Sequence, residues 1–150
     1  VWGFSLQNVW KGVIKMKVYN AHVDGSYRNA LVGWGFIITD EEGNVIASKN
    51  GIVSDETASK LRNVAGEMSA AMRTVAWAKK HHCKVVIHYD YNGICYWPMG
   101  NWTARKPSTQ VYRDFMQTNR EWVQGYEKVK SHSGNPLNDV ADELARAATA

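Results

Sequence analysis

The sequence predicts a single α/β domain built on a mixed β-sheet covered by helices, and three observations carry that expectation. Three β-rich runs joined by glycine-bearing turns come first, the pattern of an antiparallel meander. A long amphipathic helix follows, and directly after it stands KVVIHYD, a β-branched run of the kind that forms a buried parallel strand and demands a crossover connection. Helix and strand then alternate to the end, giving the order βββαβαβα.

The first three strands are MKVYNAHVD, GWGFIITD and NVIASKNG, with turns between Asp24 and Gly33 and between Glu41 and Asn44. The helix spans about residues 58 to 80, where Val64, Met68, Ala71, Met72, Val75 and Ala78 recur at helical spacing as one apolar stripe for the sheet. Ile94 to Trp102 reads as a short helix and loop punctuated by Pro98 and Gly100. Pro107 to Trp122 reads as a helix with Val111, Phe115 and Trp122 turned inward. YEKVKSH is the last strand. The final helix opens on a clear signal, because Asn135 can cap it and Pro136 suits a first turn that requires no backbone donor, and it runs to about Ala148.

The chain has 150 residues, 45% of them apolar, enough for one compact domain with a true core. Residues 16–150 show no repeat, low-complexity tract or linker, whereas residues 1–15 form a separable extension that mixes Trp2, Phe4, Trp10, Val13 and Ile14 with Gly3 and Gly12 and carries no assignable role. No apolar run approaches the ~20 residues of a membrane helix, and the opening lacks the apolar stretch of a signal peptide, so a soluble cytoplasmic protein without a membrane partner is expected. The two cysteines, Cys83 and Cys95, exclude a disulfide scaffold or zinc ribbon. His81, His82 and Cys83 lack a second ligand pair and suit a helix end instead. Eighteen Lys and Arg against 14 Asp and Glu give a net charge of +4, suited to an anionic partner. Seven Trp and seven Tyr add stacking surface, most of it destined for the core.

Acids on a solvated helix face need no explanation, so the informative ones lie at strand ends or beside apolar stripes. Asp24 and Asp90 each close a predicted strand, at the carboxyl edge where open α/β sheets bind ligands; turn capping is the plainer alternative for either. Glu67 borders the sheet-facing stripe one turn before Ala71, while Arg73 points to solvent. Asp142 shares a face with Asn138 at the edge of the stripe of Leu137, Ala141, Leu144 and Ala145, while Glu143 points away. An acid at such a border is desolvated unless a cation or donor network stands beside it, and simple salt bridging would also satisfy it. Several carboxylates gathered at one sheet edge repel one another and present the hard oxygen ligands that Mg²⁺ or Mn²⁺ prefer. Two such ions ~4 Å apart would activate a water on one side of a phosphodiester and stabilise the leaving oxygen on the other.

Four ordered segments, VDGSYRN, RNVAGEM, HYDYNG and SHSGNPLNDVADELARAA, resemble the motifs of the type I ribonucleases H, and the likeness covers residues 16 to 148. The resemblance implies the ribonuclease H-like fold, a five-stranded mixed sheet of three antiparallel strands then two parallel ones, flanked by helices. It implies a monomeric endoribonuclease that cuts the RNA strand of RNA/DNA hybrids by a two-metal-ion mechanism and leaves 3′-hydroxyl and 5′-phosphate ends. Carried over by position, Asp24, Glu67, Asp90 and Asp142 are catalytic ligands of two Mg²⁺ or Mn²⁺ ions, with Asp24 bridging both. His132 assists proton transfer or product release, against the alternative of a surface histidine without a role. Asp139 is a neighbouring acid outside the ligand set. Ser26, Asn29, Asn63 and Asn92 fall where the family touches the hybrid; turn formation for Asn29 and Asn92 and helix entry for Asn63 are the structural alternatives.

Two departures from the family pattern stand out. Arg62 and Val64 flank Asn63 where neutral polar residues are common, so a phosphate contact would come from the Arg62 charge. Only Arg105 and Lys106 precede Pro107 where some members carry a lysine-rich helical handle, which is the pattern of the handle-less bacterial form. Trp97, Trp102 and Tyr112 are candidates to stack on the DNA sugars, with core packing the commoner fate. Three rivals remain at this point: a hybrid-binding module without catalysis, a DNA nuclease, which would typically carry an acid where Ser26 stands, and a domain of a larger polymerase.

Overall fold

A computed structural model describes residues 16–130 and 135–150. Strands β1 (Val18–Arg28), β2 (Leu31–Thr39) and β3 (Val45–Ile52) form the antiparallel meander. The β1–β2 turn places Asn29 and Ala30 at φ 55° and 60°, the left-handed pair whose twist matches that of the flanking strands. A short helix α1 (Glu56–Ser59), capped by the Asp55 carboxylate, precedes the long helix α2 (Asn63–Lys80). Then come β4 (Lys84–Tyr89), α3 (Gly93–Met99), α4 (Pro107–Thr118), a 3₁₀ turn (Arg120–Trp122), β5 (Val123–Lys128) and α5 (Pro136–Ala148), the last capped by the Asn135 side chain as predicted. The sheet order is β3-β2-β1-β4-β5, with β1–β4 and β4–β5 parallel, so the mixed five-stranded sheet expected from the sequence is the one observed.

Helices α2 and α5 sit on opposite faces of β1 and β2, and both come in at backbone distance because glycines stand beneath them. A Cβ on Gly25 would overlap the Asn63 carbonyl and stand 2.5 Å from the Glu67 nitrogen, and one on Gly66 would run into the Gly33 carbonyl. On the other face, a Cβ on Gly35 would lie 2.7 Å from both Ala141 O and Ala145 N. Real Cβ atoms essentially never approach so closely. Around these contacts lies the core of Val23, Met68, Ala71, Val75, Val85, Ile87, Ile94 and Tyr112.

Four boundaries differ from expectation. The helix expected from residue 58 is divided, because Arg62 takes φ 56° and lets α2 start on a line set by Gly66 against the sheet, while α1 packs on α4. Asp24 does not end its strand: β1 continues to Arg28, paired with β2 all the way. The last strand runs from Val123 to Lys128 instead of 126–132. The helix from Pro107 stops at Thr118, where Asn119 turns its amide back onto the Phe115 carbonyl. Its inward stripe is Thr109, Tyr112 and Met116, and Val111 is 62% exposed. Phe115 and Trp122 pack against the core as predicted, each partly buried, whereas Tyr112 and Met116 fill the interior in place of Val111, and the Tyr112 hydroxyl donates to the Ile94 carbonyl.

The glycine contacts generate a paired test. Gly66→Ala is expected to destabilise the fold by about 2 kcal/mol or more, since backbone on the far side cannot yield. Gly125→Ala on β5, where nothing lies within 4 Å, is expected to stay within about 0.5 kcal/mol of the parent in urea unfolding.

Candidate active site

The parallel pairing of β1 with β4 ends at His22 and His88, and β4 stops one residue later at Tyr89. Asp24 on β1 and Asp90 just after β4 therefore stand together beyond that pairing, at the carboxyl edge of the sheet's parallel half. Side chains alternate along a strand, so with Gly25 turned to α2, Asp24 faces α5. Its cross-strand partner Gly35 lies against Ala141 on α5, and the next residue of that helix is Asp142. From the opposite face, α2 brings Glu67.

Glu67 is 4% exposed, and its Oε2 accepts hydrogen bonds from the backbone N–H groups of Asp90 (2.8 Å) and Tyr91 (3.1 Å). Burial pushes its pKa up to about 8, with Asp24 and Asp90 adding to the rise and the two N–H groups opposing it. Burial likewise pushes Asp24 up to about 7; the Gly25 N–H and the Arg146 charge counter that, and Asp142 and Asp90 reinforce it. The four sequence-predicted acids thus share one field. Asp142 is met by Arg146 one turn further along α5, Nη2 3.1 Å from Oδ2 and Nε 3.2 Å from Oδ1.

Among the described residues, no three His, Cys, Asp or Glu side chains are drawn close enough to hold an ion as they stand. Glu67 is tied to backbone amides and Asp142 to Arg146. The donor chemistry fits a hard divalent cation all the same: the ligand set is entirely carboxylate, and two of its members are held against burial without a full countercharge.

The other predicted residues divide. Ser26 is half-buried on β1, on the face of Asp24. Asn63 opens α2 beside Gly25, and Asn92 precedes α3, where its carbonyl receives the Cys95 and Tyr96 N–H groups and its side chain makes no cap. Asn29 follows β1 in the turn to β2, where its amide donates to the Thr149 carbonyl just after α5. Asp139 is exposed in the first turn of α5. His132 lies outside the described residues.

Sequence reasoning passed over two features. Arg146 was discoverable from its i,i+4 spacing to Asp142. His22 and His88, two residues before Asp24 and Asp90 on the same sheet face, stack with centroids 4.1 Å apart and planes within 7°. Burial drives His22 down to about 4, so this floor beneath the acids is uncharged on the His22 side at neutral pH, while His88 Nε2 meets Asn20 Oδ1 at 2.8 Å. Arg62, singled out in the sequence for its charge, places its guanidinium 4.9 Å over the exposed ring of Tyr27. Beyond Asp90, exposed Tyr91 and Trp102 belong to a connected aromatic group with Tyr96 and Trp97, and residues 100–106 lead from α3 to α4 without an added helix.

Fold and site together define a class: an α/β domain with acids gathered at the carboxyl edge of a mixed sheet. The family model for RNase H matches residues 16–150, and the chain belongs to the ribonuclease H family. It is 30% identical to the ribonuclease H of Francisella philomiragia subsp. philomiragia, over 87% of this chain and 90% of that one. Its structure resembles RNase H1 of the halophilic archaeon Halobacterium salinarum NRC-1, with TM-score 0.70 and 17% identity over 88% of this chain and 97% of that one. LC11-RNase H1 from compost, solved in complex with an RNA/DNA hybrid, gives TM-score 0.67 and 15% identity over 88% of this chain and 99% of that one.

The raised acids fix a dependence of stability on pH. Asp24 and Glu67 keep their protons longer in the folded state, so between about pH 4 and pH 8 the unfolded chain binds fewer protons and stability falls as pH rises. In chelator, Asp24→Asn is expected to match the parent near pH 4 and to exceed it by about 1 kcal/mol or more at pH 8. Urea midpoints across that range check it, and a difference that does not grow with pH contradicts the assignment.

Proposed function

We propose that the chain is an endoribonuclease that hydrolyses the RNA strand of RNA/DNA hybrids and leaves 3′-hydroxyl and 5′-phosphate ends. Asp24, Glu67, Asp90 and Asp142 would hold two Mg²⁺ or Mn²⁺ ions. The observation that carries this is the gathering of four acids at one sheet edge, where buried Glu67 is held by the N–H groups of Asp90 and Tyr91 beside half-buried Asp24 and Asp142 follows the residue packed on Gly35; desolvation raises Asp24 and Glu67 to about 7 and 8. Glu67 is met by backbone N–H groups, and the cationic charge felt at Asp24 is that of Arg146, which is bonded to Asp142, so burial of the two acids is only partly offset. When bound, divalent ions supply positive charge and lower the pKa of a coordinated water.

The protein's own part is placement. Glu67 is fixed by the backbone that follows β4, which ties the α2 carboxylate to the strand bearing Asp90. Water adds to the scissile phosphorus, the bond to the 3′ oxygen breaks, and that oxygen leaves as a hydroxyl once it gains a proton. His132, on the segment before α5, is suited to handle that proton. Ser26, Asn63 and Asn92 are neutral donors and acceptors that can engage 2′-hydroxyls without competing for a cation. Arg62, oriented by Tyr27, would meet a backbone phosphate. Support for the hybrid as substrate comes from family membership and from the RNA/DNA hybrid bound to LC11-RNase H1.

The test compares end-labelled RNA/DNA hybrid, RNA duplex and DNA duplex with Mg²⁺, Mn²⁺ or chelator. Metal-dependent loss of only the hybrid's RNA strand is expected; cutting of the DNA duplex overturns the substrate, and binding without cleavage overturns the activity. Asp24→Asn is expected to lower cleavage by at least about a thousandfold, because several kcal/mol of charge stabilisation go with the carboxylate, while folding persists. Arg62→Ala is expected to reduce the slope of log affinity against log salt by about 1, the loss of one phosphate contact.

A further inference from the structure

Among the site's acids, Asp142 is engaged within its own helix by a full positive charge. Arg146 spans both carboxylate oxygens, at 3.1 and 3.2 Å, and its charge is also felt at Asp24. Its place is fixed from outside α5, since the Arg146 carbonyl accepts from Arg28 Nη2 at 3.0 Å and from Thr149 Oγ1 at 2.9 Å. The contact is half open to water: the side chains of Asp142 and Arg146 are 34% and 62% exposed. A guanidinium held at that depth can swing away without unfolding anything.

Any divalent ion that takes an Asp142 oxygen must take it from this fork, so one cation is exchanged for another. Resting on the metal-binding reading above, we propose that Arg146 is a resident counter-cation that competes for Asp142 and so sets the affinity of the acidic site for divalent ions. In the metal-free protein its charge stands in for the missing ions and tempers the repulsion among the acids. On metal binding it lets go of Asp142 and turns to solvent. Arg146 is a positioning residue: it acts through the Asp142 carboxylate.

The test is calorimetric titration of Mg²⁺ and of Mn²⁺ into the metal-free full chain, without nucleic acid, for the parent, Arg146→Gln, Arg146→Lys and Asp24→Asn. Arg146→Gln is expected to bind about two- to fivefold more tightly, the fold-change of losing one partly exposed competing ion pair. Arg146→Lys, which keeps a charge on the same turn, is expected within about twofold of the parent. Unchanged or weaker binding by Arg146→Gln overturns the proposal, as does a lysine variant that behaves like the glutamine one. A parent that binds no metal, or an Asp24→Asn variant that binds as well as the parent, overturns the metal site itself, a separate result. Should Arg146→Gln fail to fold, the parent alone decides by NMR: the Arg146 Nε–H signal is expected to shift with the same midpoint as metal binding, and a signal that stays in place overturns the exchange.

Discussion

Everything at the carboxyl edge depends on two helices reaching the sheet at backbone distance. Gly25 and Gly66 let α2 touch β1, and Gly33 and Gly35 let α5 lie on β2 from the other side. A side chain at either contact would push its helix off the sheet and carry Glu67 or Asp142 away from Asp24 with it. With the side chains removed from the contact, Glu67 is adjacent to the strand that carries Asp24, and Asp142 follows the very residue that rests on Gly35. The glycines are thus part of the site, although none has a group that could react.

That closeness has an electrostatic consequence. Acids carried in on both faces of one strand end up buried near each other, and burial holds Asp24 and Glu67 partly protonated at neutral pH. The fold tolerates this because the tertiary contacts beneath are independent of charge: the core is aliphatic and aromatic, and the stacked His22–His88 floor is kept neutral by burial of His22. Backbone amides cover Glu67, and Arg146 covers Asp142. Each is a partial answer to the same charge, and each keeps its carboxylate from closing with the others.

Much of this was legible in the residues. The meander, the helical crossover into KVVIHYD and the Asn135–Pro136 start of the last helix rest on local signals that tertiary packing did not override. The four acids stood out because Asp24 and Asp90 closed predicted strands while Glu67 and Asp142 bordered apolar stripes, where an acid is costly. What stayed hidden depends on relations between segments: strand length and register place Asp24 mid-strand yet beyond β4, and the choice between Val111 and Tyr112 depends on which fills a space the sequence does not show. The Arg62 break escaped notice because it is enforced by contacts four residues later, at Gly66.

Grip on a charged duplex without a basic handle then falls to few residues. Arg62 is suited to it, since a guanidinium already lying on Tyr27 has surrendered part of its freedom before a phosphate arrives, and less is lost on binding than for a free lysine. Its unusual backbone angle serves the same end, because a residue forced to φ 56° at the entry to α2 projects its side chain over β1 rather than along the helix. Beyond Asp90, exposed Tyr91 and Trp102 offer flat faces whose stacking energy does not depend on charge. On the proposed function, the Arg62 charge and these rings would add to the grip that a net charge of only +4 supplies.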